Sequence, residues 1–179
     1  MTSLLFVRRC FLLVMLSTSV GCVRRAAGPA PPKVEGKELT QFAMKYIELT
    51  PGSGAEAAPA KCYYVHYTGW LTDGKKFDSS HDTTRDGRPR TPLSFIQGRR
   101  NVIPGWDVGF EGMKVGGKRR LLIPYQLAYG VNGNPPVIPP KAKLVFDVEL
   151  MDVKDAPAAT RPPEPPARCP PWDSTAVAR

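Results

Sequence analysis

The reactive side chains of this chain do not fall into an arrangement for covalent or metal chemistry. His66 and His81 are the only histidines in 179 residues, too few and too poorly placed for a zinc ligand set. No Ser/His/Asp arrangement suggests a nucleophilic triad. The glycines from Gly112 to Gly117 follow a helical pattern rather than a strand, so they do not read as a phosphate loop. The net charge of +9 falls to +7 without Arg8 and Arg9. It favours anionic partners or membrane surfaces but selects neither. Basic residues gather at Arg85, Arg88 and Arg90, and again at Lys118, Arg119 and Arg120; both groups read as solvated faces of a loop and a strand. No basic stripe is interleaved with aromatics, so nucleic acid is not an expected partner.

The four cysteines separate by context. Cys10 lies in an N-terminal stretch with the form of an export signal: Arg8 and Arg9, an apolar run from Cys10 to Leu16, then small residues from Ser17 to Gly21. The run is too short to span a bilayer. Val20-Gly21-Cys22 resembles the cleavage site of a bacterial lipoprotein, in which the cysteine is acylated; Ser19 departs from that pattern, where a Leu-like residue is usual. An ordinary cleaved signal with an incidental Cys22 is the alternative. Cys62 falls in an expected strand and Cys169 in a proline-rich tail. In an oxidising compartment these two can pair, but the composition of the tail argues against a stable bridge and for Cys62 as a small buried hydrophobe.

Prolines crowd at Gly28–Pro32 and from Pro157 to Pro171. Both stretches lack a packable apolar period and read as linker and tail. The expected organisation is a signal at 1–21, a flexible linker at 22–38, one domain at 39–154 and a disordered tail at 155–179. The domain is long enough for a single hydrophobic core.

Within the domain, Phe42–Leu49 ends at the turn signal Thr50-Pro51-Gly52. Lys61–Leu71 reads as a long aromatic, β-branched strand. Asp73-Gly74 turns the chain into Lys75–Ser79, Ser80–Pro92 is a polar loop, and Leu93–Ile96 is short and strand-like. Pro104 opens a short helix, with Ile103, Trp106, Phe110 and Met113 on one apolar stripe. Lys118–Ile123 is a further strand, and Pro135–Pro140 is a stiff loop. Lys143–Val153 alternates, with Leu144, Phe146, Val148, Leu150 and Asp152 expected on one side. Strands joined without alternating helices predict an α+β fold, an antiparallel five-stranded half-barrel sheet wrapped over one short helix.

VHYTGWL (Val65–Leu71), DGKKFDSS (Asp73–Ser80), VIPGWDVGFEGMKVGGKRRLLIP (Val102–Pro124), LAYG (Leu127–Gly130) and IPPKAKLVFDVELMDV (Ile138–Val153) together resemble the FKBP-type peptidyl-prolyl cis-trans isomerases, in order and spacing, over residues 61–153. The resemblance implies an apolar pocket between sheet and helix that rotates X–Pro bonds in exported proteins. Its floor would be Trp106 and its walls Tyr67, Phe77, Val102, Ile103 and Phe146. Phe95 and Leu93 would lie at the side and Ile138 in an overhanging loop. Tyr67, Asp78 and Tyr129 would be the catalytic polar groups, although Asp78 reads equally as a structural partner for Tyr67 or a loop arginine. On composition alone, core packing is the better reading of each aromatic; only their joint position in the motifs reverses it.

The same resemblance implies proline-containing polypeptides as substrates, macrolide-type inhibitors as ligands, a monomer, and no metal or organic cofactor. With Cys22 acylated, the domain would be held at a membrane of the cell envelope, on the periplasmic side. The sequence departs from the usual pattern at Leu93, where many members carry an aromatic, and in the longer loop from His81 to Thr91. Asn134 and Val137 occupy variable positions of the overhanging loop. A module that holds a proline-containing partner without turning it over, and a holdase, are the other readings. Retained Tyr67, Asp78, Trp106 and Tyr129 argue against the first, and the lack of a large inserted domain argues against the second.

Overall fold

The aromatic run Cys62–Leu71 forms the strand on which the rest of the fold is assembled. The computed structural model describes residues 30–36, 38–41, 44–158 and 167–175; the expected signal at 1–21 and Cys22 lie outside them. Among the described residues the strands in chain order are β1 (Leu39–Gln41), β2 (Met44–Thr50), β3 (Cys62–Leu71), β4 (Lys76–Ser79), β5 (Leu93–Ile96), β6 (Lys118–Ile123) and β7 (Leu144–Lys154), with one α-helix, α1 (Pro104–Gly109), between β5 and β6.

β3 pairs antiparallel with β7 along its whole length. Its other edge is shared: β4 takes the C-terminal half and β5 the N-terminal half. The seven strands run β1-β2-β6-β7-β3-β4, with β5 beside β3. The antiparallel sheet over one short α-helix is as expected, but among the described residues the strands number seven rather than five. The start of the domain contributes β1 as well as β2, and the two short segments after β3 both pair with it.

Successive side chains of a strand point to opposite faces. Tyr63, Val65 and Tyr67 turn toward α1 and join Trp106, Phe110, Leu121, Phe146 and Val148 in the main core. The helix is only six residues long, so the apolar stripe outruns it. Phe110 is its C-cap, and a turn closed by Met113 N–H donating to the Phe110 carbonyl (2.9 Å) carries Met113 into the core. Gly105 lets α1 lie flat on the sheet, because a Cβ there would sit 2.5 Å from Ile123 Cγ2.

Two expectations fail in physically clear ways. The register between β3 and β7 shifts between Tyr64 and Val65: Val65 faces Leu150 while Tyr64 faces Asp152. This bulge at Met151 reverses the alternation. Val153, not Asp152, returns to the core side.

The second concerns the basic run. Arg119 and Arg120 are 3% and 6% exposed, not solvated. Each lies directly opposite a carboxylate on the neighbouring strand, Glu48 for Arg119 and Asp147 for Arg120. Arg119 pairs with Glu48 and donates to the Gly109 and Glu111 carbonyls (2.7 and 2.9 Å), tying the end of α1 to the sheet. Arg120 grips Asp147 with two bonds (2.5 and 2.7 Å). Buried charge is tolerated where it is paired and hydrogen-bonded in this way.

The flanking segments settle on the outer face of the sheet. Arg120 donates to the Pro32 carbonyl (2.6 Å), so part of the expected linker is docked. On the tail side, Cys169 is disulfide-bonded to Cys62, with Cα atoms 5.5 Å apart. This corrects the expectation of an unbridged Cys62. Tyr64, Ile96 and Met151 supply the apolar surface that holds the tail, and Ala167, Cys169 and Trp172 pack against it. The Tyr64 hydroxyl donates to the Pro170 carbonyl (2.7 Å).

Candidate active site

A cavity of about 210 Å³ opens between the inner face of the sheet and α1. Trp106, 3% exposed, forms its floor, because Pro104 starts the helix two residues earlier and the indole packs toward β3 and β7. The ring meets Tyr67 and Phe146 edge-on, with centroids 5.0 and 5.3 Å apart and interplanar angles of 79° and 81°. Phe77 stands edge-on to Phe146 at 5.4 Å. Gly69 makes that corner possible, since a Cβ there would lie 2.7 Å from both the Phe77 and Phe146 rings. The Trp106 indole N–H has no hydrogen-bond partner among the described residues, leaving a donor in an otherwise aromatic floor.

The polar side of the cavity is a connected network. The Tyr67 hydroxyl donates to Asp78 Oδ2 (2.5 Å). Arg90 donates to Asp78 Oδ1 (2.8 Å) and to the Ser79 carbonyl (2.8 Å), and the Ser79 N–H donates to Asp78 Oδ1 (2.9 Å). Burial alone would raise the Asp78 carboxyl. Hydrogen bonds from Tyr67 and Arg90, with the Arg90 charge and the Ser79 N–H, outweigh it and hold the group below the ordinary carboxylate value. Burial, then the bond to Asp78, pushes the Tyr67 phenol far above its ordinary value. At the rim, Tyr129 is raised by burial and then by the Asp78 charge. Its hydroxyl makes no hydrogen bond among the described residues, so it faces the cavity as a free, protonated donor.

Of the residues singled out from sequence, Tyr67, Phe77, Asp78, Leu93, Val102, Ile103, Trp106, Tyr129 and Phe146 line this one cavity. Phe95 and Ile138 do not. Phe95 is buried behind the floor, its ring 5.8 Å from Trp106 and 5.5 Å from Tyr63. Ile138 is buried in the core as well; the overhanging loop turns it inward by pairing Ile138 and Asn134 through two backbone bonds (2.8 and 2.9 Å).

Asn101 escaped the sequence reading, and Arg90 was expected only as an unspecified loop arginine beside Asp78. Asn101 lines the cavity and is adjacent to the matching block that begins at Val102. Arg90 folds back from the polar loop onto Asp78, and no local pattern distinguishes it from the exposed Arg88.

An aromatic cavity with a tyrosine–carboxylate–arginine network and a free phenol at its mouth is suited to seating an apolar ring beside a carbonyl. Residues 54–151 match the family model for FKBP-type peptidyl-prolyl cis-trans isomerase. An FK506-binding protein of Neisseria meningitidis serogroup B is 52% identical over 106 residues, 59% of this chain and 92% of that protein. FK506-binding protein 4 of Dictyostelium discoideum is 53% identical over 108 residues, 60% of this chain. The crystal structure of FkpA from Escherichia coli superposes with a TM-score of 0.59 at 44% identity, over 69% of this chain and 54% of that one. The chain therefore spans nearly the whole Neisseria protein, but only 28% of the Dictyostelium protein. The chain belongs to the FKBP-type peptidyl-prolyl cis-trans isomerases.

Proposed function

We propose that this cavity is where an X–Pro bond is turned, and that the enzyme assists the folding of exported proteins in the cell envelope. Rotation about an ordinary peptide bond must lose amide resonance, at a cost of about 18–20 kcal/mol. For X–Pro bonds the uncatalysed exchange takes roughly 10–100 s at room temperature. The planar imide is strongly dipolar and the twisted one less so. An apolar enclosure therefore favours the twisted state relative to the planar one, which is catalysis by differential binding.

In this reading Trp106 seats the pyrrolidine ring, with Phe77, Val102, Ile103 and Phe146 around it and Leu93 at the edge. Tyr129 donates to the substrate carbonyl while the chain turns. Both Asp78 oxygens are already engaged, so its part is to fix Tyr67 and the polar wall rather than to move a proton. The observation that carries the proposal is the convergence of these side chains, from six separate segments, on one aromatic cavity. A proline-limited refolding assay tests it: the full chain accelerates refolding at catalytic concentrations, and absence of acceleration would overturn it. The Neisseria and Dictyostelium relatives are named for FK506, and a macrolide of that type is expected to fill the same cavity as a competitive inhibitor.

Export and anchoring rest on Arg8, Arg9, the apolar run and Cys22. The Cys62–Cys169 bond supports them, because structural disulfides persist in oxidising compartments. Intact mass of the native protein distinguishes an acylated N-terminal Cys22 from an unmodified start elsewhere.

A further inference from the structure

The catalytic cavity does not end at Leu93. A second groove, about 350 Å³, runs beside β5 and is lined by Ser94, Ile96, Asn101, Arg168 and Cys169. Asn101 lines both the groove and the cavity, so the two adjoin. One wall is β5, which is paired on one side only, by β3. The opposite wall is the tail, fixed by the Cys62–Cys169 bond and the Tyr64–Pro170 hydrogen bond. Its charged lining residue is Arg168. Arg168 is exposed at the groove, and Arg99 and Arg100 immediately precede Asn101. None of the three forms an ion pair with a carboxylate among the described residues.

We infer that this groove is an extended substrate subsite, in which the polypeptide flanking the target proline lies along β5 and sets an acidic side chain against Arg168. This rests on the isomerase reading of the adjoining cavity. An open strand edge offers unpaired backbone groups to an extended segment, and continuity through Asn101 lets one chain occupy both sites. Unpaired guanidinium groups select carboxylates. The tail thus does more than cover the outer face: its disulfide holds a specificity-determining arginine beside the pocket.

The test uses the full chain and three sets of proline peptides: a short one that fills only the cavity, and longer ones carrying Asp or Lys runs on either side of the proline. Wild type is expected to favour the Asp peptides over the Lys peptides on one side by about threefold to fivefold in kcat/KM, the scale of an exposed ion pair, with the preference shrinking as salt rises. Arg168→Glu should reverse that order and leave the short peptide unchanged. Cys62→Ser/Cys169→Ser should flatten the preference, again with the short peptide turned over normally. Equal rates for Asp and Lys peptides on both sides, or a preference that survives Arg168→Glu, would overturn the subsite. Loss of turnover on the short peptide by wild type would instead remove the isomerase reading beneath it.

Discussion

The two faces of β3 carry similar residues and do different work. Inward, Tyr63, Val65 and Tyr67 meet a helix that holds them apart, and a cavity remains above Trp106. Outward, Cys62 and Tyr64 meet the chain's own tail, which fills the space and is bonded to it. Tyr67 gives its hydroxyl to Asp78 and stays beside an open pocket. Tyr64 gives its hydroxyl to a backbone carbonyl and is closed over by Trp172, with ring centroids 5.4 Å apart. An aromatic side chain supplies the same apolar area in either setting. What leaves the inner face open above Trp106 is that a helix, rather than the chain's own tail, is packed against it.

If this contrast is right, damage to the two faces should separate activity from stability. The largest effect is expected at Trp106→Ala, which removes the floor and leaves a void beneath Tyr67 and Phe146. Truncating a buried tryptophan costs about 3–5 kcal/mol, read as a shift of the urea midpoint, and the turnover should go with it. Cys62→Ser/Cys169→Ser should lower stability by about 2–4 kcal/mol, the usual range for a bond closing a long loop, while turnover of short proline peptides stays at the wild-type rate. A double-serine protein that lost short-peptide turnover would break the separation of the faces.

Smaller effects test the polar wall. Asp78→Asn keeps the shape but weakens the charge-assisted bonds to Tyr67 and Arg90, and is expected to lower kcat/KM about tenfold, with KM nearly unchanged. The pH profile gives the sign independently. The folded carboxyl lies below its unfolded value, so its contribution is complete above about pH 4, the ordinary aspartate value, and is lost as pH falls through the depressed folded value. Activity should therefore hold to below pH 4 in wild type, provided the fold persists, and lose that acid limb in Asp78→Asn. The raised Tyr67 and Tyr129 phenols predict no alkaline fall below about pH 10, the ordinary tyrosine value. Tyr129→Phe should have the mildest effect, about threefold in kcat, the size of one neutral hydrogen bond gained in the transition state.

The sequence revealed the inner face far better than the outer. Trp106, Tyr67, Phe77 and Phe146 stand in blocks whose order and spacing were recognisable, and alternation along β7 placed Phe146 inward. What alternation cannot show is a bulge, so Asp152 and Val153 exchanged sides. Burial of Phe95 and Ile138 depends on how far a neighbouring ring or loop leans, which spacing does not encode. The outer face was obscured for a different reason. Its cover comes from proline-rich segments without period, whose packing depends on long-range partners: Cys169 with Cys62, and Pro32 with Arg120. Arg119 and Arg120 looked solvated because their carboxylates lie on neighbouring strands rather than nearby in the chain.

The most direct test of the account is the cis–trans exchange rate of a short proline peptide, measured by NMR with substoichiometric amounts of three proteins: wild type, Trp106→Leu and Cys62→Ser/Cys169→Ser. The account predicts fast exchange with wild type and with the double-serine protein, and exchange near the uncatalysed rate with Trp106→Leu. Uncatalysed exchange with wild type, or full catalysis by Trp106→Leu, would contradict it.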